Sequence, residues 1–159
     1  MKIDFYCVGV CQNDGEPTQL AGCGIVVVLT DDHNRTKFRT FKYALGNSTQ
    51  KLADLQAVRL ALASVRSSFR SGNAHLHIDS TYVARILEKS GKAFIESLSE
   101  YKREAQEVRQ WFGYYSRILV IVENQNDENM LQAKDLANIG LATQEHSDSG
   151  TLDGLDLSV

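Results

Sequence analysis

The first third of the chain is written in short apolar runs broken by turn residues, and beyond Ala44 the apolar spacing lengthens to threes and fours. Residues 2 to 11 (KIDFYCVGVC) read as a largely buried strand, stopped by the turn chemistry of Asn13-Asp14-Gly15-Glu16-Pro17. Residues 22 to 29 (GCGIVVVL) form a second, β-branched strand. After a polar reversal between Asp31 and Arg35, the alternation from Lys37 to Ala44 predicts a third. Three such strands in succession make an antiparallel meander. Leu55, Val58, Leu62, Val65 and Phe69 then mark an amphipathic helix that Thr49 is placed to cap. A strand ending in Asp79 follows, then a short helix through Leu87 and a break at Ser90-Gly91-Lys92. Phe94, Leu98, Tyr101, Ala105, Val108 and Phe112 predict one long second helix. Residues 117 to 122 (RILVIV) predict a fully buried strand, and Met130, Ala133, Leu136 and Ala137 line a last helix.

The order βββ, α, β, α, α, β, α predicts an α/β fold. Its mixed five-stranded sheet has three antiparallel strands and then two parallel ones reached through helices, with the helices flanking the sheet. Residues 1–142 make one domain, and residues 143–159 are too poor in apolar side chains to pack and are expected to form a flexible acidic tail.

Composition narrows the function. At 159 residues with 43% hydrophobic and 23% charged positions, the chain is long enough for one sizeable core. It has no apolar run of membrane-spanning length, and Asp4 interrupts what would be the apolar part of a leader, so a cytoplasmic protein with no membrane association is expected. Cys7, Cys11 and Cys23 lack metal-ligand spacing and read as free thiols. The net charge is −3, but Glu145, Asp148, Asp153 and Asp156 all fall in the last fifteen residues, so the domain itself is near neutral. That balance does not by itself argue for tight phosphate binding.

Asp79 is the most informative residue. It ends a strand just before a Ser/Thr helix start, at the sheet edge where open α/β folds usually place their chemistry. The segments Val8-Gly9-Val10, Thr49 to Asp54-Leu55, Ile78-Asp79-Ser80-Thr81-Tyr82-Val83 and Lys134-Asp135-Leu136-Ala137 resemble the motifs of type 1 ribonuclease H-like proteins, over residues 2 to about 142. Members of that superfamily carry Asp-Gly-Ser, Thr-x-x-x-x-Glu-Leu, Thr-Asp-Ser-x-Tyr-Val and Asp-x-Leu-Ala there. The resemblance implies hydrolysis of the RNA strand of an RNA/DNA hybrid, with four carboxylates holding two Mg²⁺ ions, or Mn²⁺ in their place. Hard cations need oxygen ligands, and this sequence departs from the pattern at two corners. Val8 and Lys134 stand where acids are expected, Asp54 is one methylene shorter than the glutamate, and Gln125 stands where a histidine is usual.

What remains as a vestigial catalytic and metal set is Asp54 and Asp79, with Asp135 as a further ligand if the helix turns it inward. Their plainer role is as a helix-start acid and a strand-end cap. Lys134 is expected to lie between them as a counter-ion. Asp14 enters only if the first strand is registered differently, and Asp4, about 13 Å from Val8 along an extended strand, is too distant to replace a ligand. The leading expectation is therefore a ribonuclease H-like domain that has lost nuclease activity, needs no cofactor, and binds nucleic acid or acts as an adaptor. Two alternatives stand: a Mg²⁺-dependent hybrid endonuclease with a rearranged ligand set, and a protein-assembly factor. The nucleic-acid candidates are Arg35, Lys37, Arg39 and Lys42 around the third strand, and Thr49, Gln50 and Lys51 at the first helix. A charged, self-protecting edge strand explains the first four equally well. His75, His77 and Asp79 share a strand face that could chelate a transition metal, although structural histidines account for it as simply. Leu152, Leu155, Leu157 and Val159 in the tail form a candidate peptide for a protein partner.

Overall fold

The computed structural model describes residues 1–123 and 127–150, the last four by their backbone alone. β1 (Lys2–Gln12), β2 (Leu20–Thr30) and β3 (Thr36–Gly46) form the meander. α1 (Gln50–Ala63) leads through a short 3-10 turn to β4 (Asn73–Ile78). Then come α2 (Thr81–Leu87), α3 (Gly91–Glu96), α4 (Lys102–Gly113), β5 (Arg117–Val122), α5 (Glu128–Thr143) and β6 (Ser147–Gly150). The sheet order is β5-β4-β1-β2-β3-β6, with β1, β4 and β5 mutually parallel and the other pairings antiparallel. The first five strands form the expected mixed sheet.

Four details differ from the sequence reading. β5, expected to be fully buried, is an edge strand with Leu119 58% and Val122 51% exposed. β6 adds a sixth strand, pairing Ser147 with Lys42 and Gly150 with Arg39, inside the segment expected to lack structure; residues 151–159, with the tail leucines, lie outside the described residues. The long second helix is two helices, α3 and α4, separated at Tyr101, whose φ of 59° is left-handed. Both lay apolar side chains on the same core, so the three-and-four spacing runs through the break and hides it. α1 stops at Ala63, where the Ser64 hydroxyl donates to the Ala61 carbonyl at 2.7 Å, and Phe69 lies in the 3-10 turn beyond.

The sheet separates two apolar layers. On one face Ile3, Phe5, Ile25, Leu55, Leu62 and Leu76 belong to the main core beneath α1 and α4. On the other, α5 sets Met130, Ala133 and Ala137 against Tyr6, Val8, Val26 and Val28. α5 can come this close because Gly24 has no side chain: a Cβ there would lie 2.0 Å from the Ala133 carbonyl oxygen. Adding that methyl forces helix and sheet apart, and overpacking of this kind costs about 1–3 kcal/mol. Gly24→Ala is therefore expected to destabilise the fold by at least that much in urea unfolding, whereas Gly113→Ala, where a Cβ meets nothing within 4 Å, changes stability little.

Candidate functional site

The carboxyl ends of β1 and β4 meet the start of α1. A Cβ on Gly9 would lie 2.6 Å from the backbone of Ala53 and Asp54, so glycine lets the first turns of α1 rest directly on β1. Thr49 caps α1 by accepting from the Leu52 amide at 3.2 Å, and its hydroxyl donates to the Tyr101 hydroxyl at 3.0 Å. The Gln50 side-chain amide donates to the Gly9 carbonyl at 2.8 Å and to Asp54 Oδ1 at 3.0 Å, tying strand to helix. Beyond β4, Ser80 caps α2 by accepting from the Val83 amide. Burial pushes the Asp54 carboxyl up to about 7; the Gln50 and Ser80 hydrogen bonds oppose this, while the charges of Asp79 and Asp14 add to it.

Asp54, Asp79 and Asp14 therefore form one electrostatic group. Asp14 accepts from the Gln50 backbone amide at 3.1 Å, a link the sequence did not reveal because Asp14 lies in a turn two residues past the end of β1. Val8 lies on the α5 face of the sheet, 2% exposed and packed in the cluster with Met130, Ala133 and Ala137. Asp135 is exposed on α5; at about 100° per residue it stands some 200° round from both Ala133 and Ala137, which face the sheet. Glu123 and Asp127 are engaged elsewhere, Glu123 with His77 and Asp127 as the cap of α5. Gln125 lies outside the described residues.

The basic residues do not form one patch. Arg35 pairs with Asp31 at 2.7 Å in the β2–β3 turn. Lys37 and Arg39 share the strand face of Phe41, whose ring lies 4.7 Å from the Arg39 guanidinium carbon, while Lys42 falls on the α5 face. β3 is also not a bare edge, since β6 pairs along Arg39 to Lys42. Lys51 is exposed on α1 beside Gln50, its ammonium 5.3 Å from the Tyr82 ring.

A second polar cluster lies on the α5 face of the sheet. Register places Asp4 beside His75 and Tyr6 beside His77. His77 lies between two carboxylates, Nε2 at 2.8 Å from Asp4 Oδ1 and Nδ1 at 2.6 Å from Glu123 Oε1, with the Tyr6 ring stacked on it at 4.1 Å. Burial lowers the imidazole's pKa, yet the two carboxylates outweigh it and hold the group above its ordinary value. Burial likewise raises Asp4, but the His77 hydrogen bond and the Lys2 charge win and lower it. The acid grouped with the histidine pair is thus Asp4 rather than Asp79, which lies past the end of β4. Alternation along β1 would have shown Asp4 on the right face, but only the parallel pairing of β1 with β4 brings it to His75.

No family model matches the sequence, and no curated protein is similar to it. Solved structures do resemble the fold. LC9-RNase H1, described as a type 1 RNase H with the type 2 active-site motif, superposes with a TM-score of 0.78 at 15% identity, over 92% of this chain and 74% of that one. RNase H1 from the halophilic archaeon Halobacterium salinarum gives 0.68 at 16% identity, over 91% of this chain and 100% of its own. The foamy viral protease-reverse transcriptase in complex with RNA/DNA hybrid gives 0.70 at 19%, over 89% of this chain and 20% of that one. The chain has a ribonuclease H-like fold.

The Asp54 environment sets a pH dependence. Because its folded pKa lies above the unfolded value near 4, the fold is favoured at low pH and loses stability as pH rises toward 7. Asp54→Asn removes this loss. It is expected to be more stable than the parent at pH 8, on the order of 2 kcal/mol, with the advantage fading toward pH 4 in paired urea titrations.

Proposed function

We propose that this chain is a ribonuclease H-like domain that binds nucleic acid without cleaving it. The observation that carries this reading is Val8, an aliphatic side chain sealed beneath α5 at the position where the fold's nuclease motif has its first aspartate. A two-metal Mg²⁺ or Mn²⁺ centre needs several hard oxygen donors around both ions. The residues present do not fit one: Val8 offers no oxygen, and Asp135 faces solvent. The binding surface in this reading is the α1 start, where Gln50 holds Asp54 with Thr49 and Lys51 on either side in sequence; Lys37 and Arg39 sit toward the far end of β3, level with Leu29 and Val27, and lie outside it. Solved neighbours in complex with RNA/DNA hybrid and with dsDNA support a nucleic-acid partner. Cys7, Cys11 and Cys23, all free thiols, support a reducing, cytoplasmic setting. A protein partner held by residues 151–159 belongs to the same adaptor role.

A second reading, a nuclease built on Asp14, Asp54 and Asp79, is favoured by the Asp14 contact with Gln50 and by its charge acting on Asp54. One experiment separates the two: labelled RNA/DNA hybrid incubated with the chain and either Mg²⁺ or Mn²⁺, beside Asp79→Asn. No cleavage is expected, together with binding that weakens as salt rises. Lys51→Ala should reduce the slope of log affinity against log salt by about 0.9, one phosphate contact. Cleavage that Asp79→Asn abolishes establishes the nuclease instead.

A further inference from the structure

We propose that Asp4, His75 and His77 form a binding site for a divalent transition-metal ion, zinc above all, on the face of the sheet that α5 leaves open. The site is separate from the acid group at Asp54, and the proposal is independent of the nucleic-acid reading.

The backbone makes the site. His75 and His77 are two apart on β4 and so share a face, and parallel pairing sets Asp4 of β1 next to His75 on that same face. One ligand atom from each of the three lies within 4.8 Å of the others. Ligands bonded to zinc at about 2.0–2.1 Å in tetrahedral directions are about 3.3 Å apart. His75 Nδ1 to Asp4 Oδ1 is 3.5 Å, already close to that value, and His77 Nε2 to Asp4 Oδ1 at 2.8 Å needs to open by about half an ångström.

The surroundings suit an ion as well as the ligands do. Glu123 Oε1 lies 2.6 Å from His77 Nδ1, the carboxylate–histidine arrangement that keeps a proton on Nδ1 and turns the Nε2 lone pair toward a metal. Tyr6, stacked on the ring at an interplanar angle of 11°, fixes its plane. Asp4 and His77 are buried while the His75 side chain is 31% exposed, so an ion reaches the site from the His75 side. There a groove of about 500 Å³, lined by Lys2, Asn73, His75, Arg117 and Leu119 among others, leaves room for water or a small anion in the fourth coordination position. Two imidazoles with one carboxylate select zinc, cobalt or nickel over magnesium, which prefers an all-oxygen shell.

The test titrates the full chain with Co²⁺, read by the visible absorption of tetrahedral cobalt, and then displaces it with Zn²⁺. One ion per chain is expected, with zinc raising the melting temperature and millimolar Mg²⁺ displacing nothing. His75→Ala, at the exposed end of the cluster, should weaken binding at least 100-fold while leaving the circular dichroism spectrum unchanged. Glu123→Gln, which keeps all three ligands, should weaken it about 10–100-fold. No cobalt spectrum and no zinc-induced stabilisation at millimolar metal overturns the proposal. So does binding that both variants leave intact, because the ion then sits elsewhere.

Discussion

Close contact between α5 and the sheet governs what this molecule can do. Gly24 lets the helix backbone approach β2 to a distance no side chain would allow, and Met130, Ala133 and Ala137 then close over Val8. A carboxylate at position 8 would enter this layer without water and would need cations or several hydrogen bonds to offset its burial. Valine makes no such demand. The same packing turns Asp135 outward, since the face of α5 that carries Ala133 and Ala137 is committed to the sheet.

Local contacts hold the acid group at the start of α1. Gln50 bridges Gly9 and Asp54, Ser80 supplies a further hydrogen bond to Asp54, and Asp14 reaches back from its turn to the Gln50 amide. With its pKa raised to about 7, Asp54 keeps its proton up to near-neutral pH, and below that pH the repulsion among the three carboxyls is reduced. The group sits at the carboxyl ends of β1 and β4, beside Thr49 and Lys51 at the start of α1.

Much of the fold was legible because the strands are β-branched and α1 carries a clear apolar stripe; the order of elements and the parallel pairing of β4 and β5 follow from them. What escaped had specific causes. The break at Tyr101 falls between two segments that share one core, so periodicity passes over it. β6 pairs through its backbone, and the polar side chains of Ser147–Gly150 give no apolar signal. Of the candidate site residues, Asp79 acts electrostatically on Asp54, while the basic residues divide between a turn pair and two sheet faces. The Asp4–His77–Glu123 array joins β1, β4 and the residue just past β5, and only the pairing of these strands brings it together.

The claim at the centre of this account is that the fold's nuclease position has become an apolar contact. Crystals of the chain soaked in manganese and measured by anomalous diffraction test it most directly. The account expects no pair of anomalous peaks about 4 Å apart beside Asp54 and Asp79. Two manganese ions bridged there by carboxylates, with α5 displaced from Val8, would contradict it.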